Sequence, residues 1–116
     1  MTVDYGELVQ RECIWVLEAE GEPVALLVLE YKPNHLLIFS IAVDPSHQQR
    51  GYGRSLMQFV EQEALRKHYA RVQLYTNEHM ESNIRWYQHL GYAETRREEF
   101  RGSSIVYMEK EICISA

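Results

Sequence analysis

Residues 35–54 read HLLIFSIAVDPSHQQRGYGR, and three kinds of sequence follow one another along them. His35–Val43 is apolar almost throughout and has the length of a strand, which predicts a central strand buried on both faces. Asp44-Pro45 ends it, because proline has no N–H to give to the next rung of a sheet. Ser46–Gly53 is polar and carries two glycines. From Arg54 the period changes. In Arg54–Tyr69, Leu56, Met57, Val60 and Ala64 recur at the spacing of one helical face. Arg66 and Lys67 then stand in the last turn, where cations complement the helix dipole. A second strand follows at Arg71–Thr76, with Val72, Leu74 and Thr76 alternating against Arg71, Gln73 and Tyr75. Strand, loop, helix and strand in that order make a β-α-β crossover.

The flanks are simpler. Upstream, Glu12–Ala19 and Val24–Glu30 are rich in strand formers and are separated by Glu20-Gly21-Glu22-Pro23, which reads as a hairpin. Lys32-Pro33-Asn34 turns the chain into the central strand. Residues 1–10 are weakly patterned, and a turn of helix is expected there. Downstream, Met80–Leu90 has helical character, with Gly91 in the place of a C-cap glycine. Tyr92–Phe100 and Ser104–Lys110 pair across Arg101-Gly102. The expected order is β-β-β-α-β-α-β-β in a single domain, 1–116, with its core over 12–110. The class is α+β (mixed α/β): a mixed, mostly antiparallel sheet flanked by helices.

Composition excludes several functions. The chain has 116 residues, 46% hydrophobic and 25% charged, which argues against disorder, a fibre or a membrane protein. A formal net charge of −5 makes nucleic acid an unsuitable partner. The N-terminal MTVDYGELVQ lacks the basic and apolar blocks of a signal peptide, so a cytoplasmic location is expected. Cys13 and Cys113 form no CxxC, and two free thiols are expected. The five histidines show no HExxH or paired-ligand spacing, so no metal is expected.

The loop Gln48-Gln49-Arg50-Gly51-Tyr52-Gly53-Arg54 joins a buried strand to a helix. Its glycines allow a sharp turn and let an anion approach backbone N–H groups. The helix start adds donors and partial positive charge, an arrangement that suits phosphate or pyrophosphate. Arg50 and Arg54 add local positive charge. No GxxxxGK[ST] is present, and the third glycine of GxGxxG is replaced by Leu56, which weakens both nucleotide readings. From the glycines alone, an anion site and a plain strand–helix turn both stand.

A wider pattern resembles one family. Gln48-x-x-Gly51-x-Gly53, after a strand ending Ile41-Ala42-Val43-Asp44-Pro45, is similar to the acetyl-CoA signature [RQ]xxGx[GA] of the GNAT N-acetyltransferase superfamily. Asn83-Ile84-Arg85-Trp86-Tyr87-Gln88-His89-Leu90-Gly91-Tyr92 resembles its second motif, NxxxYxxLG[FY]. The motifs stand in the right order with a strand between them, and the likeness covers about residues 12–110.

The resemblance implies an acyl-CoA N-acyltransferase-like fold and an acetyl-CoA-dependent N-acetyltransferase acting on a primary amine. It implies that backbone N–H groups of Gln49, Arg50, Gly51, Tyr52, Gly53 and Arg54 hold the CoA pyrophosphate, with Gln48 and Ser55 at the ends of that segment. The edge of Ile41-Ala42-Val43 would pair with the pantetheine arm, and this strand would splay from Arg71–Thr76 so that the donor enters the gap. Asn83 matches a donor-contacting position, and Tyr87 matches the frequent general acid.

The chemistry suits these residue types. Acetyl transfer passes through an oxyanion, which a backbone N–H on the central strand can stabilise. It expels a thiolate, which leaves more easily if a tyrosine offers a proton. Asn83 and Tyr87, four apart on a helix, point the same way. The bland reading of Tyr87 is a packing residue beside Trp86. Many members carry a glutamate base on the third strand, and His35–Val43 has none. Glu78 and His79, just past Arg71–Thr76, or a water chain are the candidates, with Glu78 carried forward as the base; the bland reading of both side chains, slightly the better one, is a solvated loop. Little precedes Cys13 where the family has an acceptor-site wall, so apolar surface is expected near Glu12–Glu30, including Trp15. A homodimer is expected to cover it. The acceptor is a small-molecule or peptide amine. The alternative function is a non-catalytic acyl-CoA-binding or regulatory module on the same fold.

Overall fold

The computed structural model describes residues 2–3, 6–11, 13–48 and 51–112, with no account of the side chains of residues 2, 3, 6, 7 and 11. The elements are β1 (Thr2–Val3), β2 (Gly6–Arg11), β3 (Ile14–Ala19), β4 (Glu22–Tyr31), β5 (Leu36–Val43), a 3-10 turn (Pro45–His47), α1 (Tyr52–Arg66), β6 (Arg71–Asn77), α2 (Glu81–His89), β7 (Ala93–Phe100) and β8 (Ser103–Glu111). They build one mixed sheet in the order β1-β2-β3-β4-β5-β6-β8-β7. Every neighbouring pair is antiparallel except β5 and β6, the two strands that α1 connects. The α+β class, with a mixed and mostly antiparallel sheet, is therefore present.

Helix α1 packs its apolar stripe, Leu56, Met57, Phe59, Val60 and Ala64, on one face of the sheet. That face supplies Leu17, Leu27, Leu29, Leu36, Ile38, Val72, Leu74, Val106 and Met108, all buried. The alternation is a consequence of the pleat: neighbours in a strand point to opposite faces. Trp15, expected at the surface, is 4% exposed and lies 4.7 Å from Phe59, ring to ring. The expected surface near the hairpin is carried by Ile14 and Leu26 instead.

Among the described residues, one buried side chain is of a charged type. Glu63 is 2% exposed on the inner face of α1. Its carboxylate accepts from the Tyr31 hydroxyl and from Arg66 Nε at 2.9 Å and Nη2 at 2.6 Å. A carboxylate can remain in a core only when its oxygens are hydrogen-bonded in this way.

Four expectations need correction. Thr2–Val3 and Gly6–Arg11 are strands in place of the expected turn of helix: Leu8 is buried and pairs with Leu17, so β2 extends the sheet. Helix α1 starts at Tyr52, two residues early, because Gly51 at φ +86° is its N-cap and Gly53 lies inside its first turn. It also stops at Arg66. His68 adopts a φ of +64°, and the Tyr69 N–H returns to the Ala64 carbonyl at 2.8 Å, which closes the helix. Lastly, β5 is buried on one face only. Phe39 is 50% exposed, and with Ile14, Leu26 and Tyr75 it lies on a sheet face that neither α1 nor α2 covers.

The junction of β5 and β6 positions the site. Their ladder runs only through Leu36↔Val72, Leu37↔Gln73 and Ile38↔Leu74, although β5 continues to Val43 and β6 to Asn77. Beyond Ile38 and Leu74 the strands diverge as a fork. At the same point β5 bulges against β4: Ser40 pairs with Val28 and Ile38 with Leu29, so Phe39 has no partner in either ladder. A bulge adds a residue and increases twist, which carries the rest of β5 away from β6.

Candidate active site

The open arm of the fork borders a cleft of about 710 Å³. Its walls are β5 (Ile41, Ala42, Val43), the loop and first turn of α1 (His47, Gln48, Gly51, Tyr52, Gly53, Arg54) and α2 with the residue before it (Met80, Asn83, Trp86, Tyr87). The loop is set by local hydrogen bonds. Asp44 Oδ1 accepts from the Ser46 N–H at 2.9 Å and from its hydroxyl at 2.8 Å, which starts the 3-10 turn. These two bonds, the backbone one first, hold the Asp44 carboxyl below the usual carboxylate range. Gln48 Nε2 donates to the Val43 carbonyl at 3.4 Å, tying the loop back to β5.

No carboxylate lines this cleft among the described residues, and Arg54 contributes a cation. In a chain of net charge −5, that leaves the cleft hospitable to an anion. The first turn of α1 contains no acidic residue and opens toward it, so the helix dipole adds to the effect. The glycines act differently from one another. Gly51 is needed for its left-handed backbone. Gly53 is needed for space: a Cβ there would sit 3.2 Å from Cζ2 and Cη2 of Trp86. The absent side chain thus lets α2 approach α1.

Asn83 and Tyr87 stand one turn apart on α2, and both reach the cleft. Tyr87 is 7% exposed, packed against Trp86 at 5.2 Å and Tyr92 at 6.2 Å between ring centres. Burial raises the Tyr87 phenol above its ordinary pKa, so it keeps its proton at neutral pH.

Of the residues singled out in the sequence, Ile41, Ala42, Val43, Gln48, Gly51, Tyr52, Gly53, Arg54, Asn83 and Tyr87 all meet at the cleft. Gln49 and Arg50 lie outside the described residues. Ser55 is buried and donates its N–H to the Gly51 carbonyl at 3.0 Å, within the helix. Glu78 is off the cleft wall, at the end of β6, 3.7 Å from both Arg97 Nη1 and His79 Nε2. His47, Met80 and Trp86 were not singled out. Trp86 and Met80 belong to the α2 segment, and the i, i+3, i+4 spacing from Asn83 would have found both.

A family model described as the acetyltransferase (GNAT) family matches residues 3–92. The chain belongs to the GNAT acetyltransferase family. Acetyl-CoA is the donor that GNAT enzymes use, and the cleft's anion-compatible mouth and open strand edge fit it. Solved structures agree in fold. The chain is similar to the ribosomal-protein-S18-alanine N-acetyltransferase from Escherichia coli, with a TM-score of 0.81 at 23% identity over 92% of this chain and 74% of that one. It is similar to Ard1 from Thermoplasma volcanium, at 0.80 and 21%, over 89% and 72%. A streptothricin acetyltransferase from Bacillus anthracis in complex with acetyl coenzyme A matches at 0.79 and 17%, over 84% and 61%.

Proposed function

We propose that this GNAT domain transfers an acetyl group from acetyl-CoA to a primary amine by direct attack, with Tyr87 as the general acid. The observation that carries the reading is the convergence of a carboxylate-free cleft, an open β5 edge and a protonated, buried phenol on one cavity. The pyrophosphate lies against the first turn of α1 and Arg54, and the pantetheine arm adds as a strand along Ile41–Val43. Asn83 and Trp86 bound the arm from α2.

The amine nitrogen attacks the thioester carbonyl. A C–N bond forms and the C–S bond breaks. The sulfur leaves with the Tyr87 proton, and the nitrogen gives up its own proton. Glu78 is the proposed base. Its ion pair with Arg97 holds a carboxylate at the tip of β6 but not on the cleft wall, so the proton would travel through water. That same placement favours a second reading, an acyl-CoA-binding module without turnover. Calorimetry with CoA, followed by thiol release over a panel of primary amines, separates them. Binding with thiol release is expected. Binding without release on any amine supports the module, and no CoA binding refutes both.

A further inference from the structure

The fork has a second side. Phe39 and Tyr75 directly follow Ile38 and Leu74, the last paired residues of β5 and β6, so they stand at its vertex. Their side chains point away from the buried face and are 50% and 38% exposed. The rings meet edge to face, 6.4 Å apart at 83°. Tyr75 in turn lies 5.9 Å from Tyr107, its cross-strand partner on β8. A row of three aromatic rings therefore runs from the vertex across the uncovered face.

The direction of the cleft leads to this row. A donor held by its pyrophosphate at Gly51–Arg54 and running along β5 passes Val43, then Ile41, and brings its acyl end toward Phe39. The acceptor must meet that end, and the helices occupy the other face. Charge on the aromatic row is already matched within the chain. Arg96 stacks on Tyr107 with its guanidinium carbon 3.7 Å from the ring centre, and Glu98 accepts from Arg96 at 2.9 Å and Tyr107 at 3.2 Å. Glu109 accepts from Gln73 at 2.7 Å and lies 3.7 Å from Arg71. Glu98 and Glu109 are thus each matched and offer little to hold a polycation, whereas two aromatic rings at the vertex remain open to contact.

We infer that Phe39 and Tyr75 form the acceptor subsite and select a primary amine flanked by an apolar group, aromatic or aliphatic, over a polyamine. The inference rests on the acetyltransferase reading. An apolar platform beside the nitrogen also disfavours the ammonium form, and only the neutral amine can attack.

The test compares phenethylamine, butylamine, ethanolamine and spermidine as acceptors, read by thiol release at fixed pH. Phenethylamine should give the highest kcat/KM, with butylamine next. Phe39→Ala and Tyr75→Ala should each raise KM for phenethylamine on the order of 3–10-fold, the range of a lost aromatic contact, with KM for acetyl-CoA unchanged. KM for ethanolamine should not move. Both side chains are exposed, so two independent variants guard against loss of fold. Preference for spermidine, or an equal effect of both variants on all four amines, overturns the inference while the acetyltransferase reading stands. CoA binding with no thiol release on any amine overturns both.

Discussion

Replacing Gly53 by alanine tests whether that glycine serves packing or ligand. Inside a helix the change should stabilise by up to about 1 kcal/mol, since alanine loses less backbone entropy on folding. Here the new Cβ would lie 3.2 Å from two ring carbons of Trp86 and 3.8 Å from Val43 Cγ2. Carbon atoms rest at roughly 3.5–4.0 Å, so the indole must yield by a few tenths of an ångström. Overpacking of this kind costs about 1–3 kcal/mol. The two effects should leave Gly53→Ala between neutral and about 2 kcal/mol destabilised. With Trp86→Ala in the background the clash is gone and the helix gain should remain. Urea unfolding of the four proteins should thus give a coupling of about 1–3 kcal/mol. Trp86→Leu serves if the alanine variant is too unstable. A coupling under about 0.3 kcal/mol would refute the steric reasoning. CoA affinity separates the two roles further. If phosphate approach needs the glycine, affinity falls alike in both backgrounds; if only Trp86 needs it, removing the indole abolishes the effect.

Tyr87→Phe keeps ring and packing and removes the acid, so kcat should fall ~10²–10⁴-fold while KM for acetyl-CoA and the urea midpoint hold steady; unchanged kcat would make Tyr87 a packing residue. Glu63→Ala removes the acceptor of the partly buried Tyr31 hydroxyl and should cost about 1–3 kcal/mol in urea unfolding, and Arg66→Ala, which takes both guanidinium donors from a carboxylate only 1% exposed, should cost at least as much. Burial raises the pKa of Tyr31, Tyr87 and Tyr92 in the folded state. The unfolded chain therefore loses these protons first as pH rises past about 10, so stability should be level from neutral pH to there and fall beyond it, as thermal melts across pH 7–11 would record.

Much of this was legible in the chain. The apolar run of β5 and the helical phase of Leu56, Met57, Val60 and Ala64 reflect burial, which leaves a periodic trace. The glycine loop and the Asn83–Tyr87 pair were readable because their chemistry is local. The vertex at Phe39 was not, because a bulge arises from the register between two strands and no residue in β5 announces it. Two-sided burial was inferred for β5 from its apolar length, yet Phe39 belongs to an open face. Gly6 and Glu7 hid β2, whose place is fixed by pairing with β3. The space beside Gly53 is likewise a tertiary fact, since Trp86 comes 33 positions later.

The three-rung junction of β5 with β6 divides the sheet mechanically. On one side β1 to β5 form a meander in which each strand pairs with the next. On the other, β6, β8 and β7 make a second cooperative block. Between them lie three ladder positions and the strap of α1. Hydrogen exchange at Leu36–Ile38 and Val72–Leu74 should therefore report a seam that opens before either block unfolds. A donor seated in the fork would act as a keystone, adding backbone bonds where the seam has none, and slowed exchange would then extend into β6 and β8, strands the ligand need not touch.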